Sequence, residues 1–208
     1  MKTYFLHKNQ HSSNLILFFS GFGSHFSHFS HLKSDENVLM IYDYTSFEFD
    51  FDLSKFEKIT LIAFSMGVCV ASKILKDVKF DKKIAINGTN LPINDEFGIK
   101  NSIFKLTMKN FDLENFKVNL LEKKLDLSEN FYFETTQYLK QELLSLYDFC
   151  IKDLNENLIW DRALISKDDK IFPSKNTLNF FKEKAKIIDE PHFVFFKFNF
   201  WEELCKLF

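Results

Sequence analysis

The chain has 208 residues, enough for one domain with a full hydrophobic core. Hydrophobic residues make up 46% and charged residues 27%, the balance of a soluble globular protein, and the net charge of -2 argues against a nucleic-acid partner. Three widely spaced cysteines (Cys69, Cys150 and Cys205) argue against a disulfide framework or zinc site, no apolar run reaches the ~18 residues of a membrane span, and a reducing cytoplasm fits both.

Met1 to Leu6 is too short and polar for a signal peptide, and Thr3 to Leu6 predicts an opening strand. Leu15 to Phe19 is an apolar run typical of a strand buried on both faces, and it ends in the tight loop Ser20-Gly21-Phe22-Gly23. His25, His28 and His31 follow, spaced by three, so a metal site is conceivable; no carboxylate or cysteine accompanies them at ligand spacing, and a helix flank near the pocket mouth is preferred. Val38 to Tyr42 predicts the next strand. Phe47 to Phe56 alternates Phe with acidic residues and reads as a semi-buried strand or loop. Ile59 to Phe64 predicts a buried strand that runs straight into Ser65. Val68, Ala71, Ile74 and Leu75 then recur at helical spacing, with Cys69 as a buried apolar residue. Lys83 to Ile86 is again a strand, ending at Asn87-Gly88.

The middle, about residues 89–157, holds helical patterns such as Phe131 to Leu146 and no buried strand. Leu164 and Ile165 mark a short strand, Pro173 to Lys184 a helix, Ala185 to Ile188 a last strand and Phe198 to Phe208 a closing helix. Alternating strands and helices predict an α/β fold, a mostly parallel sheet flanked by helices. The whole chain is expected to form one domain, with residues 89–157 as a small helical lid over the carboxyl edge of the sheet, where such folds bind ligands. Phe occurs 28 times, which reads as coding bias rather than an aromatic binding surface.

Ala63-Phe64-Ser65-Met66-Gly67 lies between a predicted strand and a predicted helix. Such a turn strains the serine and lifts its hydroxyl above the sheet, the setting of an α/β-hydrolase nucleophile. Ala63 replaces the more usual glycine at one flank. In this class the N–H after the nucleophile, here Met66, and one from an early glycine loop, here Phe22, form an oxyanion hole. Ser20, Gly21, Phe22 and Met66 are therefore expected beside the substrate. The chain order of such enzymes is serine, acid, histidine, and His192 is the only histidine after Ser65. It would act as base toward Ser65 and then as acid toward the leaving group. Asp169, in Asp169-Lys170-Ile171-Phe172-Pro173, is the favoured acid; Asp168 is the runner-up, with Asp161 and Asp153 more distant. No metal or cofactor is expected.

Phe-Ser-Gly-Phe-Gly, Ala-Phe-Ser-Met-Gly, Asn87-Gly88-Thr89 with Pro92, Gly98-Ile99 and Phe104, then Asp169 to Pro173 and Pro191-His192-Phe193, together resemble the BioG family from about Leu15 to the C-terminus. The resemblance implies an α/β-hydrolase fold, a Ser65, Asp169 and His192 triad, and hydrolysis of the methyl ester of a pimeloyl group on an acyl carrier protein, in biotin synthesis. Lys117 stands near the place of an expected arginine-rich stretch; the chain has one arginine, Arg162. Residues 91–153 carry more acidic residues than lysines, so a basic docking patch would be local, such as Lys105 with Lys109 or Lys123 with Lys124. From the residues alone, two alternatives stay open: another esterase or thioesterase, or a non-catalytic binding protein of the same fold.

Overall fold

In a computed structural model, residues 1–152 and 158–207 are described. The strands are β1 (Lys2–His7), β2 (Asn14–Phe19), β3 (Asn37–Tyr42), β4 (Lys58–Phe64), β5 (Lys82–Ile86), β6 (Arg162–Ser166) and β7 (Ala185–Ile188). They form one sheet in the order β1-β3-β2-β4-β5-β6-β7. β1 pairs antiparallel with β3 and every other pair is parallel. β2 and β4 therefore lie at the centre, and their carboxyl ends, Phe19 and Phe64, open at the same edge.

Beyond their first residues the central strands are almost wholly apolar, Thr60 apart, because both faces are covered. On one face Leu15, Leu17, Phe19, Leu61 and Ala63 pack with residues of α1 (Met66–Ile74) and α4 (Thr136–Cys150). On the other, Ile16, Phe18, Ile62 and Phe64 meet Phe29, Phe195 and Trp201, the last from α6 (Trp201–Lys206). The rings of Phe18, Phe29, Phe195 and Trp201 touch one another at centroid separations of 4.7–5.9 Å. Phe47 to Phe56 is a loop; its phenylalanines are half-buried against the first of these clusters and its acidic residues face water.

Between β5 and β6 the chain forms α2 (Asn101–Lys109), α3 (Leu113–Leu121), a 3-10 turn (Glu122–Ser128) and α4. The helix predicted from Phe131 starts five residues later. Thr135 caps it by accepting the Tyr138 N–H, while Phe131 and Phe133 are spent on contacts with the His28 ring. α4 also belongs to the body of the fold. Leu139, Leu143 and Leu146 are buried, and the Lys73 ammonium donates to the carbonyls of Phe149 and Cys150 at the helix end. Among the described residues, α2, α3 and the 3-10 turn are left to overhang the sheet edge. Residues 153–157, which close the expected lid, lie outside the described residues, as does Asp153. α5 is shorter than predicted, Ser174–Phe181, because Lys182 turns left-handed at φ 51° into a 3-10 turn. α6 begins at Trp201, since Phe198 and Phe200 are extended; Phe208 is outside the described residues.

Candidate active site

Ser65 sits between β4 and α1 with φ 56° and ψ -127°, a backbone conformation that costs about 1–3 kcal/mol in a side-chain-bearing residue. The surroundings enforce it. The Ser65 N–H donates to the Ile86 carbonyl at 2.8 Å, and the chain then turns at once into α1. Gly67 makes this passage possible, because a Cβ there would lie 2.1 Å from the Ser20 carbonyl oxygen. The turn and the β2 loop are thus in van der Waals contact, and no larger residue fits.

The Ser65 hydroxyl lies 3.0 Å from His192 Nε2, and His192 Nδ1 lies 2.6 Å from Asp169 Oδ2. Both His192 and the Asp169 side chain are 1% exposed. The other oxygen, Asp169 Oδ1, accepts the N–H groups of Ile171 and Phe172, each at 2.8 Å. This fixes the carboxylate and with it the tautomer in which His192 Nδ1 carries the proton and Nε2 faces the serine. Adjacent Asp168 is exposed, and Asp161 pairs with Lys83 at the amino edge of the sheet, away from Ser65.

His192 is held by a residue whose part in the site sequence reasoning did not assign. Asn87, at the end of β5, is left-handed at φ 47° and 1% exposed. Its Nδ2 donates to the His192 carbonyl and to Ser166 Oγ, both at 2.7 Å, and its Oδ1 accepts the Ser166 N–H at 2.7 Å. Ser166 Oγ in turn donates to the Pro191 carbonyl at 2.7 Å. The ends of β5 and β6 and the loop after β7 are locked together next to the imidazole. The signal available in the sequence was an Asn-Gly pair directly after a buried strand, since asparagine tolerates this backbone conformation. The same loop is tied to the insertion through Phe193 N–H to the Leu120 carbonyl, 3.0 Å, and through the Lys124–Glu190 ion pair.

Above Ser65 lies a cavity of about 400 Å³, within the range of small-molecule sites. Gly21, Phe22, Met66, Ser65 and His192 form its floor, and Phe104, Phe111, Phe116 and Leu143 of the insertion wall it. Some phenylalanines thus line a cavity, which the coding-bias reading did not anticipate. Among the described residues, no protein acceptor takes the N–H of Phe22 or Met66. Ser20 is not beside the cavity. Its hydroxyl donates to the Ile41 carbonyl at 3.0 Å and it is fully buried, so it anchors the loop rather than lining the site. The three upstream histidines are not at the mouth either. The 3-10 turn Phe26–Phe29 aims His28 at the Tyr132 carbonyl (2.6 Å) and His31 at the Phe195 carbonyl (3.1 Å), while His25 contacts Ser27 Oγ (3.0 Å).

Residues 1–204 match the family described as "Pimeloyl-ACP methyl esterase BioG". The chain belongs to this family. The crystal structure of BioG from Haemophilus influenzae superposes with a TM-score of 0.91 at 32% identity, covering 98% of this chain and 99% of that one. A lipase-esterase related protein from Clostridium acetobutylicum superposes with a TM-score of 0.61 at 17% identity over 92% of each chain, which shows the shared α/β-hydrolase fold. A malonyl-[acyl-carrier protein] O-methyltransferase of Bacteroides fragilis is 34% identical over 77% of this chain, yet the match spans 35% of that longer protein. Membership in the BioG family places the chain among esterases, and among the described residues no helix is long and apolar enough to cross a membrane.

Proposed function

We propose that this chain is a serine esterase that removes the methyl group from a pimeloyl methyl ester carried by an acyl carrier protein. The single observation that carries the chemistry is the relay from Asp169 through His192 to Ser65, at 2.6 and 3.0 Å, on the floor of an apolar cavity. Family membership supports the substrate, and the methyltransferase relative supports the carrier-protein setting.

In this reading His192 Nε2 takes the Ser65 proton as Oγ attacks the ester carbonyl. The negative charge that develops on the carbonyl oxygen is met by the Met66 and Phe22 N–H groups. Collapse expels methoxide, which leaves as methanol with the proton from His192. Water, deprotonated by the same nitrogen, then attacks the acyl-Ser65 ester and releases the free carboxylate. Asp169 holds the imidazole and stabilises its charged form throughout. Phe104, Phe111 and Phe116 shelter the methylenes. Lys105 and Lys109, exposed on α2, are the side chains offered to an acidic carrier; Lys124 is already paired with Glu190.

The test is methanol release from pimeloyl-carrier-protein methyl ester by wild type and Ser65→Ala in parallel. Wild type should turn over and Ser65→Ala should not. A protein that cleaves simple esters and leaves this one intact loses the substrate assignment; one that a fluorophosphonate fails to label at Ser65 loses the mechanism.

A further inference from the structure

The longest helix of the insertion carries a carboxylate where its pattern calls for an apolar residue. Leu139, Leu143 and Leu146 of α4 form the buried stripe, and Glu142 lies inside it at 3% exposure. Both of its oxygens are used. Oε1 accepts the Tyr44 N–H at 3.1 Å and Oε2 accepts the Gly23 N–H at 3.3 Å. The nearby cation Lys2 is bound to Asp43 at 2.8 Å instead. Burial accordingly pushes the Glu142 carboxyl up to about 7. A leucine would fill the same space without that burden, so the carboxylate has to be explained by the two amides it holds.

Gly23 directly follows Phe22, and its backbone is left-handed at φ 65°. The first half of this loop is pinned through Ser20. Its N–H and hydroxyl both donate to the Ile41 carbonyl at 3.0 Å, and its carbonyl accepts the Tyr44 hydroxyl at 2.6 Å. The second half is anchored by Glu142, which fixes the plane of the Phe22–Gly23 peptide. The Tyr44 N–H, on the same carboxylate, ties in the turn after β3. The Phe22 ring is meanwhile gripped by Phe111 and Phe116 at centroid separations of 5.5 and 5.3 Å.

We propose that Glu142 is a positioning residue for the oxyanion loop: from α4 it holds the Gly23 and Tyr44 amides so that the Phe22 N–H stays turned into the cavity above Ser65. This rests on Ser65 being the nucleophile. It makes the helical insertion part of the hydrolytic machinery as well as a wall for the acyl chain.

The experiment measures hydrolysis of a short p-nitrophenyl ester, so that it does not depend on the carrier-protein assignment. Active sites are counted by fluorophosphonate titration of Ser65, so that unfolded protein does not enter the rate. Glu142→Gln keeps one acceptor and Glu142→Leu keeps the shape with none. Removing a whole oxyanion donor costs roughly 10²–10³ in kcat, so misplacing one should cost about tenfold in Glu142→Gln and about a hundredfold in Glu142→Leu, with KM within about twofold of wild type. Wild-type kcat per titrated site in Glu142→Gln, or a loss confined to KM, overturns the proposal and reduces Glu142 to a structural role; this variant decides if Glu142→Leu folds too poorly to titrate. Wild type that takes up no fluorophosphonate defeats the Ser65 reading and this one with it.

Discussion

Asn87→Ala is the perturbation that most directly tests how the His192 loop is held. The substitution deletes three buried hydrogen bonds of 2.7 Å. It leaves two buried backbone groups without partners, the Ser166 N–H and the His192 carbonyl; Ser166 Oγ keeps its bond to the Pro191 carbonyl. Each orphaned group costs about 1–3 kcal/mol, or about 4 kcal/mol for the pair. Holding alanine at φ 47° adds about 1 kcal/mol more. The expected loss is therefore about 5 kcal/mol, a large share of a typical domain's 5–15 kcal/mol. The assay is urea unfolding of wild type and variant, read as a shift in midpoint at unchanged slope. Because the orphaned carbonyl belongs to His192 itself, kcat on a simple ester should fall in the folded fraction as well. A loss below about 1 kcal/mol would mean that water or a shifted loop satisfies both groups, and the account of Asn87 as the clamp on the imidazole would be wrong.

Two further outcomes follow from the same geometry. Asp169→Asn should lower kcat by roughly 10³–10⁴, the scale seen when the acid that orients a catalytic histidine loses its charge, whereas exposed Asp168→Asn should leave ester hydrolysis unchanged; equal effects at the two positions would reopen the choice of acid. Stability should fall on the acid side because of His28, whose pKa burial lowers from 6.5 to about 3. The unfolded chain takes up the proton first as pH drops below 6.5, so the contribution of the neutral ring is complete above that value and is lost toward pH 3. Between pH 7 and 3.5 the loss is about 4 kcal/mol at 1.36 kcal/mol per unit. The buried Glu142, raised from 4.5 to about 7, acts with the opposite sign, since its contribution is complete below 4.5 and is lost as pH rises through 7. Urea unfolding of wild type and His28→Phe at both pH values removes that background, because the carboxylates cancel in the difference; a difference that does not change with pH would show that His28 leaves its pocket on protonation.

Much of the sheet was legible because its strands announce themselves locally. Leu15 to Phe19 is apolar at every position and Ile59 to Phe64 at every position but Thr60, a pattern that fits burial on both faces. Helix ends were less legible. Phe131 and Phe133 fit the α4 pattern as well as Leu139 does, and it is contact with the ring of His28, distant along the chain, that engages them outside the helix. Ser20 misled for a related reason: the glycine loop told where the chain turns, not which way the hydroxyl points.

The sequence by itself singled out Ser65 and His192, with Asp169 favoured among several aspartates, because strand-turn-helix chemistry and chain order are local or countable properties. The tertiary structure decided which aspartate meets the imidazole, which phenylalanines wall a cavity and which fill the core, and that Asn87 and Glu142 hold the two loops at the site. Those choices depend on partners far apart along the chain, such as Gly23 and Glu142, 119 residues apart. A buried polar group has to find its partner in space, and no spacing along the chain encodes that meeting.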